Sequence, residues 1–447
     1  MKLGMLMMCI LIPEIAVVAQ EPTTKAEQTK AGQLALNDAV ATALQNNPAI
    51  KAARAKWESA RQRIPQAAAW EDPKLSVNSL LGRFVDISRN GFSDQMLTVE
   101  QMIPLSGKNR SKERIAAAVA LASLEDVRRQ ELDIVAKTKA SYARLSNLYV
   151  LLDLNGQDEV SLSQTLDASK AKFEVGSQSQ ADFLTADIER QKIIETRRDI
   201  EEKISEEQTT LKVLMHQDPF SPLGRPVLSE APPQNLLQER LRRLVLSNRP
   251  EVRQAQAMVI EALAKVELAK REWIPDPSVS LQAQHYNAGS QAISELNAGV
   301  SITLPWLNGK KYRAGEREMQ SDLLAAQTTL EGAQTEALGM LRDQLQKIET
   351  LHHHIELYGD HLLPSANQTV SSNQADYETN KTSLIQVLTS ENSLRQLETM
   401  YNQDLTDYKV AIAELEALVG IGIQNPEPPE SVNNTKSRSK PRAVGRE

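Results

Sequence analysis

Ile103-Pro104-Leu105-Ser106-Gly107-Lys108 returns, about two hundred residues later, as Leu304-Pro305-Trp306-Leu307-Asn308-Gly309-Lys310. The prolines are offset by 201 and the glycines by 202. Upstream, Asn47-Pro48-Ala49-Ile50 recurs as Arg249-Pro250-Glu251-Val252 (offset 202), and Asp72-Pro73 recurs as Asp276-Pro277 (offset 204). Downstream, Phe173-Glu174-Val175-Gly176 recurs as Tyr377-Glu378-Thr379-Asn380, and Phe183-Leu184 as Val387-Leu388, both at 204. Landmarks kept in one order at nearly one spacing make the chain a tandem duplication. A length of 447 residues therefore does not mean three domains of ~150 residues.

Each copy follows the same order of elements. A helix opens at Pro48 or Pro250, where the missing N–H costs nothing at the first helical position. It gives way at Asp72-Pro73 or Asp276-Pro277 to a hairpin. In the second copy Val279, Leu281, Ala283 and His285 alternate with Ser280, Gln282 and Gln284, and Leu296 to Leu304 alternate in the same way. The first copy repeats this less cleanly over Leu75 to Leu81 and Gln95 to Ile103. Period-2 alternation fits a half-buried strand packed on helices, and equally a barrel strand with lipid outside and water inside. Single-chain barrels start at about 8 strands. Four strands that span a membrane must therefore share a barrel with other copies.

Long helices follow, predicted from Lys108 to Val175 and from Lys310 to Asn380, each about 100 Å at ~1.5 Å per residue. Breaks are predicted at Asn155-Gly156 and at Leu363-Pro364, so each rod should consist of two end-to-end segments. Return helices are predicted from Asp182 to His216 and from about Ser383 to Leu418. Gly176 and Asn380, at the turns between, are residue types that take the left-handed conformation ending a helix.

Composition agrees with a mainly α chain carrying a small β part. Glycine numbers 18, about 4% against a ~7% base rate, and aromatics are also 4%. The net charge is −7 with no concentrated basic stripe, so no nucleic-acid partner is indicated. Met1-Lys2, an apolar run from Leu3 to Ile12, Pro13 and Val17-Val18-Ala19 read as a signal peptide over 1–19. The one cysteine, Cys9, lies inside it and follows Met8, a poor lipoprotein site. The remainder divides into an N-terminal segment at 20–33, a first repeat at 34–217, a linker at 218–235, a second repeat at 236–420, and a tail at 421–447 whose Pro, Asn, Ser and basic residues predict disorder.

Catalytic and metal motifs are missing: there is no phosphate loop, Gly-x-Ser-x-Gly or His-Glu-x-x-His. His352-His353-His354 and His361 have poor chelating geometry on a helix, and Met96, Met102, Met215, Met258, Met319, Met340 and Met400 form no Met-x-Met cluster. No enzyme, cofactor or resident metal is expected.

The duplicated order of short helix, helix opened at proline, Asp-Pro, strand pair, Pro-Leu-Ser-Gly-Lys, long helix, aromatic-x-x-Gly turn and return helix resembles the TolC-type outer-membrane efflux channels, over about Leu34 to Gly420. The Pro104 to Lys108 form looks closest to the branch serving heavy-metal resistance pumps. The resemblance implies a homotrimer whose three chains of four strands close one twelve-strand barrel in outer-membrane lipid. Its helices would form an α-barrel tunnel through the periplasm, docking on a periplasmic adaptor and an inner-membrane efflux pump. It implies an outer-membrane exit duct, with drug or protein export as the alternative within the family. A soluble periplasmic coiled-coil scaffold or adaptor is the rival of another class.

At the tip, the family's acidic aperture positions read Gln386 and Thr389 here, while the first half keeps Asp182. The aromatic before the turn is Tyr377, and the basic gating position reads Thr382. These substitutions imply a tip held by neutral hydrogen bonds in place of a charged ring.

Overall fold

In the computed structural model the described residues are 33–79, 93–227, 237–286, 292–293 and 295–420. The stretch read as a signal peptide with Cys9, most of the expected N-terminal segment, Leu80 and Leu81, the end of the expected linker and the residues from 421 lie outside them. The first half runs α1 (Leu36–Asn46), α2 (Pro48–Ala68), β1 (Lys74–Ser79), β2 (Ser93–Met102), α3 (Lys108–Glu174) and α4 (Gln180–Leu214). The second runs α5 (Gln238–Asn248), α6 (Pro250–Arg271), β3 (Pro277–Tyr286), β4 (Glu295–Ile302), α7 (Gly309–Leu357), α8 (Leu363–Glu378) and α9 (Leu384–Val419).

Local chemistry sets these boundaries. Pro48 and Pro250 both occupy the first helical position. Asn47 caps α2 by accepting from the Ala49 N–H at 2.9 Å, and its Nδ2 donates to the Leu214 carbonyl at 2.9 Å, tying the start of α2 to the end of α4. Before α7, Pro305–Asn308 forms a 3₁₀ turn, so β4 stops at Ile302, short of the expected Leu304.

The expected break at Asn155-Gly156 is absent: α3 is one uninterrupted helix of 67 residues, about 100 Å long at ~1.5 Å per residue. Glycine keeps its N–H, so its only cost in a helix is about 1 kcal/mol of propensity. The neighbouring Asn155 is buried, and its Nδ2 donates to the Ile193 carbonyl of α4 at 3.2 Å. Proline is different. It lacks the donor, and before Pro364 the helix widens into a π-turn over Tyr358–Leu362, closed by the Leu363 N–H on the Tyr358 carbonyl.

The two halves bury equivalent residues. Ala39, Ala43, Ile50, Ile204 and Leu211 belong to one core, and Leu241, Val245, Val252, Tyr408 and Leu415 occupy the repeat-related places in the other. A third cluster, of Leu162, Ala186, Ile193, Tyr377, Leu384, Val387 and Leu388, joins the halves near the helical turns.

The four strands form one antiparallel sheet in the order β1-β2-β3-β4. Its register sorts the side chains by face. Leu75 opposes Val99, which opposes Leu281, which opposes Ala298; Val77, Leu97, Ala283 and Leu296 form the next row. The other face carries Ser76, Thr98, Gln282 and Asn297 in one row, and Glu100, Ser280 and Gly299 in another. The apolar face is exposed, with Val77 at 72% and Val300 at 69%.

Candidate functional site

Three places combine unusual chemistry with contacts between the halves: the joint where strands meet helices, the helical turns at the opposite end, and a cavity between them.

At the joint, Asp276 at the start of β3 receives the loop between β2 and α3. Its Oδ1 accepts the Ser106 N–H at 2.8 Å, and its Oδ2 accepts the Ser106 hydroxyl at 2.8 Å and the Lys108 ammonium at 3.0 Å. Lys108 also donates to the Ile274 carbonyl at 3.0 Å, and Arg271 donates to the Ser106 carbonyl at 3.1 Å. Burial works to raise the Asp276 pKa, but the bonds from Ser106 and Lys108 outweigh it and hold the carboxyl below its ordinary value. Gly107, at φ +72°, allows the turn, and a Cβ there would come within 2.6 Å of Arg271 Nη1. The Ser-Gly-Lys and Asp-Pro motifs are thus two sides of one clasp between repeats.

At the turns, Gly176 and Asn380 both take positive φ, +74° and +60°. The two turns are bonded to each other. Lys172, in the last turn of α3, donates to the Tyr377 carbonyl at 2.6 Å and to Asn380 Oδ1 at 2.9 Å, and its ammonium lies 3.8 Å from the centroid of the Tyr377 ring. The Tyr377 hydroxyl donates to Gln178 Oε1 at 2.6 Å. Burial pushes the Tyr377 phenol up, and the nearby Asp182 carboxylate adds to the effect. The Asp182 N–H is capped by Ser179 Oγ at 3.2 Å.

Of the residues singled out in the sequence, Tyr377, Asn380 and Asp182 come together here. Thr382 meets this network through its backbone alone, its N–H reaching the Asp376 carbonyl at 3.4 Å. Gln386 and Thr389 lie on the exposed face of α9, and the Thr389 hydroxyl bonds its own helix at the Ile385 carbonyl, 2.7 Å away. Lys172 and Gln178 were not anticipated. One signal for Lys172 was available: its repeat counterpart, 204 residues on, is the oppositely charged Asp376.

Between these ends, α3, α4 and α9 enclose an open cavity of about 560 Å³, lined among others by Asn155, Asp158, Lys192, Arg395 and Glu398. Asp158 is pushed up to about 6, first by burial and then by Glu398 and Glu391, against the pull of Arg395. Burial also raises Glu391 and Glu398. Glu391 Oε1 accepts from Gln374 of α8 at 3.1 Å, while its Oε2 is buried with no partner. The histidines are elsewhere: His352 faces Glu356 at 3.4 Å and His354 faces Asp404 at 3.3 Å. Among the described residues no group of three His, Cys, Asp or Glu side chains is arranged to hold a metal ion, and no helix is long and apolar enough to cross a membrane.

The family model for outer membrane efflux protein matches residues 39–203 and 241–421, which is most of the chain and both repeats. The chain belongs to the outer membrane efflux protein family. Membership places the sheet in the outer membrane and the helices in the periplasm. Two curated relatives, from two strains of Pseudomonas putida, are the probable efflux pump outer membrane protein SepC and the toluene efflux pump outer membrane protein TtgF, each 23% identical over 300 residues. That match covers 63% of this chain and 60% of the length of each relative.

Solved channels share the fold more completely than the sequence. OprN, at 18% identity, superposes with a TM-score of 0.75 over 87% of this chain and 91% of its own. CusC, at 16%, gives 0.75 over 87% and 92%, and VceC of Vibrio cholerae, at 18%, gives 0.73 over 87% and 96%.

Proposed function

We propose that this family member is the outer-membrane channel of a tripartite efflux system, a passive exit duct for solutes handed on by an inner-membrane pump through a periplasmic adaptor. The observation that carries this reading is the sheet. One face is apolar and exposed across all four strands, the other is polar, and β1 and β4 are edges. In hydrocarbon an unpaired edge leaves every second backbone group unsatisfied, at several kcal/mol each. Closing the sheet against other copies removes the edges and puts the polar face inside. A homotrimer does this with twelve strands.

The turns at the far end of the helices form the tip. Lys172, Tyr377 and Gln178 hold the two hairpins of a chain together, with Asp182 beside them and with Thr382, Gln386 and Thr389 presented on the second hairpin. For cargo, the Pro104 to Lys108 form favours heavy-metal cations, carried in solution and not ligated by the wall. The name of TtgF, a toluene efflux protein, supports small apolar solutes as the second reading.

Native mass measurement of protein extracted from outer membranes, together with planar-bilayer conductance, tests the channel. A trimer with unitary conductance is expected; a monomer confined to the soluble periplasm would refute the channel and favour a scaffold. Sensitivity of a deletion strain to metal salts or to toluene separates the two cargoes.

A further inference from the structure

Duplication makes a prediction about contacts between copies. Within the chain, the first half meets the second through β2 on β3, α3 on α6, and α3 on α9. The repeat equates β1 with β3, β2 with β4, α2 with α6, α3 with α7, and α4 with α9. The same three contacts carried forward would join β4 to β1, α7 to α2, and α7 to α4. Within one chain β4 and β1 are opposite edges of the sheet and are not bonded.

The joint can be carried forward residue by residue. Asp276 corresponds to Asp72 at an offset of 204, Ser106 to Asn308 and Lys108 to Lys310 at 202, and Ile274, whose carbonyl receives Lys108, to Trp70 at 204. In the clasp already made, the Lys108 and Asp276 side chains are 23% and 10% exposed. Asp72, Asn308 and Lys310 are all exposed, and among the described residues their side chains meet no partner. Asn308 can supply a side-chain donor, its Nδ2, where Ser106 supplies its hydroxyl. The second motif is one residue longer, and the 3₁₀ turn at Pro305–Asn308 absorbs the extra residue before Gly309 and Lys310.

We propose that Asp72 of one copy receives Asn308 and Lys310 of the next, repeating between chains the clasp that Ser106 and Lys108 make on Asp276 within a chain. The proposal rests on the channel reading and names the residues of its intersubunit joint. Around the ring, clasps within and between chains alternate. They differ in one respect: Arg271, which braces the internal clasp, corresponds to Ala67, so the joint between copies lacks its arginine.

The test is thiol cross-linking in intact outer membranes with a short bis-maleimide. Cys9 lies in the stretch read as signal peptide, so introduced cysteines are the only thiols of the processed chain. Asp72→Cys with Lys310→Cys is expected to give dimers and trimers on a denaturing gel. Lys108→Cys with Asp276→Cys is expected to cross-link within the monomer, and either Asp72→Cys or Lys310→Cys alone to give no ladder. A charge swap reads the same joint without cysteine: Asp72→Lys or Lys310→Asp alone should lower the share of trimer by native mass, and the two together should restore it. A trimer by native mass that shows neither the ladder nor the rescue overturns the clasp and leaves the channel standing. A monomer by native mass overturns both.

Discussion

Replacing Asp158 by asparagine removes a charge that the folded chain holds at a cost. Its carboxyl titrates at about 6 against an ordinary 3.8, because burial and the neighbouring Glu398 and Glu391 disfavour the ionised form more than Arg395 favours it. The direction of the linkage follows. Between those two values the folded chain binds more protons than the unfolded one, so stability is greatest below 3.8 and falls as pH rises to about 6, above which the whole penalty is present. The interval corresponds to about 3 kcal/mol. The side chain keeps solvent contact along the open cavity, and screening reduces this to about 1–2 kcal/mol.

Asp158→Asn keeps the shape and is expected to stabilise the packing of α3 on α9 by that amount at about pH 7.5, with little effect near pH 3.5. The assay is hydrogen exchange by mass spectrometry, comparing variant and parent at each pH in peptides from α3 and α9 around the cavity. About 1–2 kcal/mol appears as a roughly five- to thirty-fold slowing of exchange. Faster exchange in the variant near pH 7.5, or an equal change at both pH values, would refute the argument that burial of this charge strains the fold.

Two further substitutions test the rods and the tip. Gly156→Ala should raise stability by about 0.8–1 kcal/mol, because a Cβ meets nothing within 4 Å inside a continuous helix; a fall in denaturation midpoint would show that α3 needs freedom there. Lys172→Met deletes the donor shared by the Tyr377 carbonyl and Asn380 Oδ1 while keeping the stem, at about 1–2 kcal/mol. Single-channel conductance should rise, and unchanged conductance would remove Lys172 from the tip.

What could be read in the sequence was whatever the chain repeats or punctuates. The prolines at 48 and 250 fix helix starts by covalent geometry, Gly176 and Asn380 mark left-handed turns, and Pro364 follows the π-turn where the helix widens. Asn155-Gly156 misled because glycine keeps its N–H and only weakens a helix, so that α3 runs through it unbroken. The Ser106–Asp276 clasp, the Lys172–Tyr377 link and the Asp158 cluster each join residues 170 or more positions apart. Nothing in the local pattern announces them. Even so, two of the three leave a trace at the repeat offset, Ser106 as a duplicated motif and Lys172 as a reversed charge.

That trace separates two jobs within one duplication. Where the halves agree, they build equivalent structure: the paired cores hold equivalent residues, and the strand–helix joint presents the same acid and the same lysine twice. The halves differ at the joint, where Arg271 corresponds to Ala67, and again along the rods and at the helical turns. The unbroken α3 corresponds to a second rod that widens into the π-turn at Tyr358–Leu362, and Lys172 corresponds to Asp376 at the offset of 204. A ring built of identical halves would present the same surface at every hairpin, with like charge facing like. Here one rod is straight and ends near Lys172, the other widens and ends near Asp376, and Lys172 reaches across to the Tyr377 carbonyl and to Asn380 Oδ1. On the channel reading proposed above, closure of the tip would rest on such departures from the repeat, and closure of the barrel on the repeat itself.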